Sequence, residues 1–243
     1  MLLLLLLPLV AAMPFDLASE LATQVTYDEN FARNKMMPLA AAAYSSNPQQ
    51  CLSTLYKNAQ MKRLTSVVCD ITLIDKCTGF TAVNHDDKAI IISFRGTDRN
   101  IQLIMEGDET LLKNNTKWAA GGVVSLYFSD GFKRVWMSGI KDDLATLQSQ
   151  NPGYELWVPY AFRVTHSHDM VPHLPLENQE GYYHHKTEAY YKKGMAAGAH
   201  YYVCYDMGES TFCSDGNLAD SSIKDHLHYF EKDVSEYGDN GCK

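Results

Sequence analysis

Apolar and polar positions along the chain fall into two periods. Over residues 130–150, Phe132, Val135, Trp136, Ile140, Leu144 and Leu147 recur at steps of three and four, the period of a helix with one buried stripe. Asn151-Pro152-Gly153 supplies its stop. Residues 89–94 contain Ile90, Ile91 and Ile92 without a polar alternate, which predicts a strand buried on both faces. Residues 67–74 and 80–83 flank Cys77-Thr78-Gly79 and predict a hairpin. Residues 154–158, 160–165, 182–191 and 201–205, rich in tyrosine and valine, predict further strands. Residues 30–44 carry good helix formers, with Pro38 marking a kink or a fresh helix start, and residues 221–230 fit a short helix. Helices alternating with buried strands point to an α/β fold, a largely parallel sheet with covering helices. No internal repeat or low-complexity linker divides it, so residues 13–243 are expected to form one domain.

Composition narrows the class. At 243 residues and 46% hydrophobic, the chain is long enough for one sizeable core. A net charge of -8 without a Lys/Arg cluster argues against nucleic acid as a partner. Residues 1–12, a leucine run ending in Val10-Ala11-Ala12, read as a secretory signal cleaved after Ala12, although no basic residue precedes the leucines. Six cysteines suit an exported protein with three disulfides. Sequence alone leaves fifteen pairings. The short separations favour Cys69 with Cys77 and Cys204 with Cys213, leaving Cys51 for Cys242, which would tie the chain ends together. None of the cysteines forms a C-x-x-C pair, so a metal site is disfavoured. Asn114-Asn115-Thr116 is a glycosylation sequon with Asn114 as acceptor.

Three segments carry candidate chemistry. The buried strand ends in Phe94-Arg95-Gly96-Thr97, where the glycine permits a sharp turn and Thr97 can offer its N–H and hydroxyl to an oxyanion. A later strand runs into His166-Ser167-His168-Asp169 and a loop stiffened by Pro172 and Pro175, the kind of place where an α/β hydrolase keeps the acid that orients its histidine. His166, His168, His173, His184 and His185 invite a zinc reading, but histidines in a polar loop are more often hydrogen-bonded or packed. Near the C-terminus, Asp225-His226-Leu227-His228 supplies a late histidine, as the order Ser, Asp, His requires; spacing does not choose between His226 and His228.

Taken together these segments resemble the class 3, fungal-type lipases. The resemblance rests on Phe94-Arg95-Gly96-Thr97, Gly131-Phe132 as a helix start, Asp169 through Pro175, and Asp225-His226-Leu227 onward. It implies an α/β-hydrolase fold, a secreted enzyme acting on triacylglycerol or other acyl esters at a lipid surface, and no cofactor. Carried over by position, Thr97 matches the oxyanion residue, Asp169 the triad acid, and His226 rather than His228 the base. The disulfide pattern of the family also matches the pairing above.

One expected element is missing. Gly-x-Ser-x-Gly should follow Val158, but Val158 runs straight into Pro159, and no such motif occurs anywhere in the chain. Ser167 and Ser210 are not substitutes. The resemblance places a helix and at least one strand at this point, so the join has the character of an internal deletion. Two consequences are expected. Neighbouring parallel strands need a crossover of about a dozen residues, which a single peptide bond does not provide. Loss of a covering helix should also expose Ile90 to Ile92, at a cost comparable with the ~5–15 kcal/mol stability of a domain. The chain is therefore expected to be catalytically dead by the family's serine route, with a non-catalytic, secreted lipid-binding module as the alternative. In that alternative Ile101, Leu103, Ile104 and Met105 form a lipid-contacting flap.

Overall fold

The computed structural model describes residues 26–69, 76–96, 114–119, 122–157, 162–174, 181–182, 184, 187–205, 210–217 and 222–243. The leader expected at 1–12, Thr97, and the flap residues 101–105 lie outside them.

Two sheets form the frame. The first has the order β1 (Ala59–Val68), β2 (Lys76–Asn84), β3 (Ala89–Phe94), β6 (Glu155–Trp157), and the second the order β7 (Arg163–His166), β8 (Glu188–Tyr191), β9 (Tyr202–Cys204). A small ribbon pairs β4 (Asn115–Lys117) with β5 (Val123–Ser125). The predicted hairpin forms, but it is longer than its apolar runs: Cys77, Thr78 and Gly79 are paired strand residues opposite Val67, Ser66 and Thr65. The α/β class holds with mixed rather than largely parallel pairing, because among the described residues only β3–β6 and β7–β8 are parallel.

Helices cover both faces of the first sheet. One covering layer is α1, in which Glu29–Phe31 and Met37–Ala42 flank a π-helical turn Ala32–Met36, together with α2 (Pro48–Leu55). Pro38 explains the π turn: lacking an N–H, it cannot continue an ordinary ladder, and the helix widens so that Met37 N–H donates to Ala32 O. The helix is bridged rather than restarted.

The other layer is α3 (Leu126–Val135) and α4 (Lys141–Gln150), joined through Trp136–Ile140. Its apolar stripe is the one predicted except that Phe132 stands exposed, and the helix starts at Leu126 and breaks at Ser138-Gly139, where Gly139 has φ +119°. A side chain at 139 would meet the Arg63 guanidinium at 2.6 Å. That guanidinium donates to Asp143 at 2.7 and 3.0 Å, and Thr81 donates to the same carboxylate at 2.9 Å. The break therefore lets β1 reach the buried acid of α4.

The isoleucines are not exposed. Ile90, Ile91 and Ile92 have relative exposures of 1%, 1% and 3%. Ile91 packs with Leu39, Ala42, Leu52, Phe80 and Trp157 under α1 and α2; Ile90 packs with Leu147, and Ile92 with Val135 and Ile140 under α3 and α4. The expectation that a missing helix strips this strand is overturned, because other helices already occupy both faces. The crossover argument fits what is seen: β6 and β7, on either side of the Val158–Pro159 bond, belong to different sheets.

What links the sheets is α1. Leu39, Ala42 and Ala43 belong to the core of the first sheet, whereas Tyr27, Ala32, Met37 and Ala41 belong to the core around Ala189 and Tyr191 of the second. Phe31 packs edge-on against Trp157 at 5.0 Å and Tyr27 against Phe162 at 5.2 Å. The last helix, α6 (Val234–Asp239), lies so close to α1 that a Cβ on Gly238 would fall 1.9 Å from Ala41 O. All three disulfides adopt the favoured pairing, Cys51–Cys242, Cys69–Cys77 and Cys204–Cys213.

Candidate active site

At the end of β7 the chain must reverse sharply, and Ser167 takes φ +47° to do so. Ser167 N–H donates to Tyr191 O at 2.8 Å and Asp169 N–H to His166 O at 2.9 Å, which fixes the turn to the second sheet. The turn delivers Asp169 into the interior, its side chain fully buried. A buried carboxylate needs donors, and three groups converge on it. Val171 N–H donates to Oδ1 at 3.0 Å, Tyr229 O–H to Oδ2 at 2.6 Å, and His226 Nδ1 lies 3.0 and 3.1 Å from the two oxygens.

His226 reaches Asp169 from α5 (Ile223–Leu227). Ser222 caps this short helix, its hydroxyl accepting from Asp225 N–H at 3.1 Å. His168 clasps the same helix end from the acid loop: its O accepts from Ser222 N–H at 3.0 Å, and its N–H donates to the Asp225 carboxylate at 3.1 Å. Asp169 and His226 are thus held by a loop and a helix that are bonded to each other. Beyond His226, β10 (His228–Tyr229) and β11 (Lys232–Asp233) pair across a tight turn in which Phe230 and Glu231 both have positive φ, at 52° and 66°. Such angles disfavour non-glycine residues. Phe230 is buried against Tyr191 and beneath the Arg33 guanidinium, which holds the turn and sets Tyr229 against Asp169.

Geometry separates the two histidines that spacing could not. His226 meets Asp169, whereas His228 Nδ1 bonds only to Lys224 O at 3.0 Å. Tyr229 was not singled out by sequence; its only signal was a position three residues after His226 in a tyrosine-rich chain. Burial, reinforced by the Asp169 carboxylate, pushes the Tyr229 phenol well above its ordinary range, so it remains a donor to that carboxylate.

A second serine–histidine contact lies nearby in sequence. Ser214 Oγ is 2.8 Å from His173 Nε2, and it also donates to Glu188, which accepts from Thr165 O–H and from Arg163 at 3.2 Å. The Ser214 proton is directed to Glu188, so His173 must donate through Nε2 and cannot serve as the serine's base. His173 and Ser214 are 2% and 3% exposed. This is a buried brace behind the acid loop. Among the described residues no group of three His, Cys, Asp or Glu side chains is arranged to hold a metal.

Gly96 is described although Thr97 is not. A Cβ at 96 would lie 2.5 Å from the Tyr44 hydroxyl, so close packing rather than an unusual φ calls for glycine there. Asn114 is exposed, and its carbonyl accepts from Leu126 N–H at 2.7 Å.

The family model described as Lipase (class 3) matches residues 91–159, from the buried strand to the residue after Val158. The chain is similar to the class 3 lipases over that stretch. Lipase ZK262.3 of Caenorhabditis elegans is 28% identical over 296 residues, covering 89% of this chain and 83% of that protein. The uncharacterized protein C40H1.2 of the same organism is 25% identical over 191 residues, covering 75% of this chain and 84% of that protein. Among solved structures, the lipase of Rhizopus microsporus var. chinensis has a TM-score of 0.68 at 19% identity, covering 87% of this chain and 91% of its own. The mono- and diacylglycerol lipase of Aspergillus oryzae has the same TM-score and identity, covering 87% and 99%. These likenesses show that the chain has the fold of the fungal lipases, an α/β-hydrolase fold.

The alignment lengths are informative about the join. Since 89% of 243 residues is about 216, about 80 of the 296 positions aligned with ZK262.3 carry no residue of this chain. For C40H1.2, 75% of 243 is about 182, leaving about nine of 191 positions unmatched. A stretch of that length cannot lie wholly on one side of the Val158–Pro159 bond, so C40H1.2 crosses it without an insert of comparable size.

Proposed function

We propose that this chain is a secreted, lipase-fold protein of lipid metabolism in which the acid and base of the ester-hydrolysing site persist, as Asp169 and His226, while the family's serine route is closed. The observation that carries this reading is the pairing of His226 Nδ1 with the buried Asp169 carboxylate in a chain with no Gly-x-Ser-x-Gly. The serine of that motif attacks the acyl carbon, and the N–H of the residue after it completes the oxyanion hole. Thr97 would keep one donor of that hole, without a nucleophile beside it. The roughly 80 positions by which the ZK262.3 alignment exceeds this chain support an internal loss. C40H1.2 supports a compact junction that recurs in a second chain.

Secretion is supported by the three disulfides and by the leader-like residues 1–12; among the described residues no helix is long and apolar enough to cross a membrane. Asn114 is the glycan acceptor in this reading. The direct test is hydrolysis of a tributyrin emulsion by the purified chain. The rate should stay at the no-enzyme level; turnover that stops when a serine-directed inhibitor is added would contradict the proposal.

A second function, lipid binding without turnover, is favoured by the side chains of Leu126, Phe128, Phe132 and Met137, which stand 41%, 44%, 37% and 68% exposed on and just beyond α3. Co-sedimentation with phosphatidylcholine liposomes should weaken in Phe128→Asp and in Ile104→Asp. Equal binding by both variants and the parent chain would remove this function.

A further inference from the structure

An imidazole held at Nδ1 by a carboxylate presents Nε2 on the opposite edge of the ring. In this chain every other partner of Asp169 is a donor, Val171 N–H and Tyr229 O–H, so its oxygens act as acceptors and the proton shared with His226 sits on Nδ1. Nε2 of the neutral ring then carries a lone pair. The His226 side chain is 24% exposed while Asp169 is fully buried, and among the described residues nothing hydrogen-bonds to His226 Nε2. The carboxylate holds the Nδ1 edge of a ring that is itself partly open to water, and Nε2 lies on the other edge. This arrangement needs no serine to accept a proton, only a donor that water can supply.

We propose that His226, oriented by Asp169, acts as a general base on water and gives this chain a serine-independent hydrolysis of activated acyl esters, those whose leaving group is a phenol or another weakly basic alcohol. The inference rests on the acid–base pair of the function proposed above, and not on its lipid-binding alternative. Nε2 takes one proton from a water molecule as the water oxygen forms a bond to the acyl carbon and the carbonyl π pair moves onto its oxygen. When that pair returns, the bond from the acyl carbon to the leaving oxygen breaks, and the leaving oxygen takes its proton from Nε2. One ester and one water become one carboxylic acid and one alcohol, and His226 ends as it began. Asp169 stays a carboxylate throughout and stabilises the imidazolium between the two steps.

Activated esters are the fitting class because their leaving group departs without strong acid assistance. Unactivated triacylglycerol needs the complete oxyanion hole as well as the base. The route therefore coexists with the absence of lipase turnover.

The test uses the full purified chain and p-nitrophenyl acetate. General-base assistance is expected to raise hydrolysis by about 10²- to 10⁴-fold over the buffer reaction. The rate should rise with pH through a single ionisation, fall in D2O, and show no initial burst of p-nitrophenol. His226→Gln should remove the enhancement and its pH dependence, Asp169→Asn should diminish both, and His228→Gln, on the neighbouring half-buried histidine that bonds to Lys224 O, should leave them intact. Should His226→Gln fail to fold, the D2O effect on the parent chain and the Asp169→Asn profile decide the matter. Hydrolysis equal in the parent and a folded His226→Gln would overturn the water route and leave the closed serine route standing. A burst with a covalent acyl adduct would overturn both.

Discussion

Around β3 the core is apolar apart from Ser93, and α1, α2, α3 and α4 press on its two faces; around β7 and β8 an apolar core with Ala189, Tyr191, Met195 and Phe230 stands beside a buried polar network. The buried polar groups there are Thr165, Glu188, His173 and Ser214, joined by hydrogen bonds, and Asp169, which accepts from Tyr229. The first sheet is stabilised by area removed from water, which tolerates loss of a neighbouring segment as long as something covers the strand. The second depends on paired polar groups, where removing one partner leaves another buried and unsatisfied. The loop after its β7 also carries Asp169, to which His226 is hydrogen-bonded. The difference fits the proposed reading, in which an internal loss at Val158–Pro159 leaves Ile90 to Ile92 covered while closing the serine route.

The comparison can be broken most forcefully in the second sheet. Glu188→Ala leaves the Arg163 guanidinium, only 11% exposed, without its carboxylate, and should cost about 3–5 kcal/mol in urea unfolding. Little change would mean that the brace is not needed. Cys51→Ser with Cys242→Ser opens a closure spanning 191 residues between α2 and the segment after α6, and should cost about 2–5 kcal/mol, with the single transition expected of the parent chain separating into two. Ile91→Ala, in the first sheet, should cost about 3 kcal/mol from lost burial and the cavity left behind, and a value under about 1 would show that β3 is not the covered strand described.

The smallest effect concerns Asp143, a buried acid of α4 packed on the first sheet. Burial works to raise the Asp143 carboxyl, but the Arg63 guanidinium and Thr81 hydroxyl outweigh it and hold the group below its ordinary value. Its contribution is therefore complete above the unfolded carboxyl value of about 3.9 and is lost as pH falls through the lower folded value. Arg63→Gln, at a side chain 43% exposed, should cost about 1 kcal/mol near neutral pH and flatten the decline of stability below about pH 4. An unchanged acid limb would separate Asp143 from that decline.

Much of this was legible in the chain, and the rest has physical reasons for having been hidden. Ile90-Ile91-Ile92 announces a strand buried on both faces, but which helices cover it is a tertiary matter, and the inference that it would be stripped failed there. The stripe from Phe132 to Leu147 announces a helix, yet its break at Ser138-Gly139 comes from Arg63 on a distant strand reaching Asp143. At the site, the order of Asp169 before His226 was visible, and the choice against His228 followed only from the resemblance. Tyr229 as a third group on Asp169 was invisible, because a hydrogen bond between residues 60 apart leaves no local period.

The most direct measurement is intact mass after incubation with a fluorophosphonate, which phosphonylates a serine activated by a histidine. The account predicts no mass gain, because Asp169 and His226 have no nucleophile to activate and Ser214 is committed to Glu188. One stoichiometric adduct, lost in His226→Gln, would show that some serine of this chain does reach that histidine and would contradict the account.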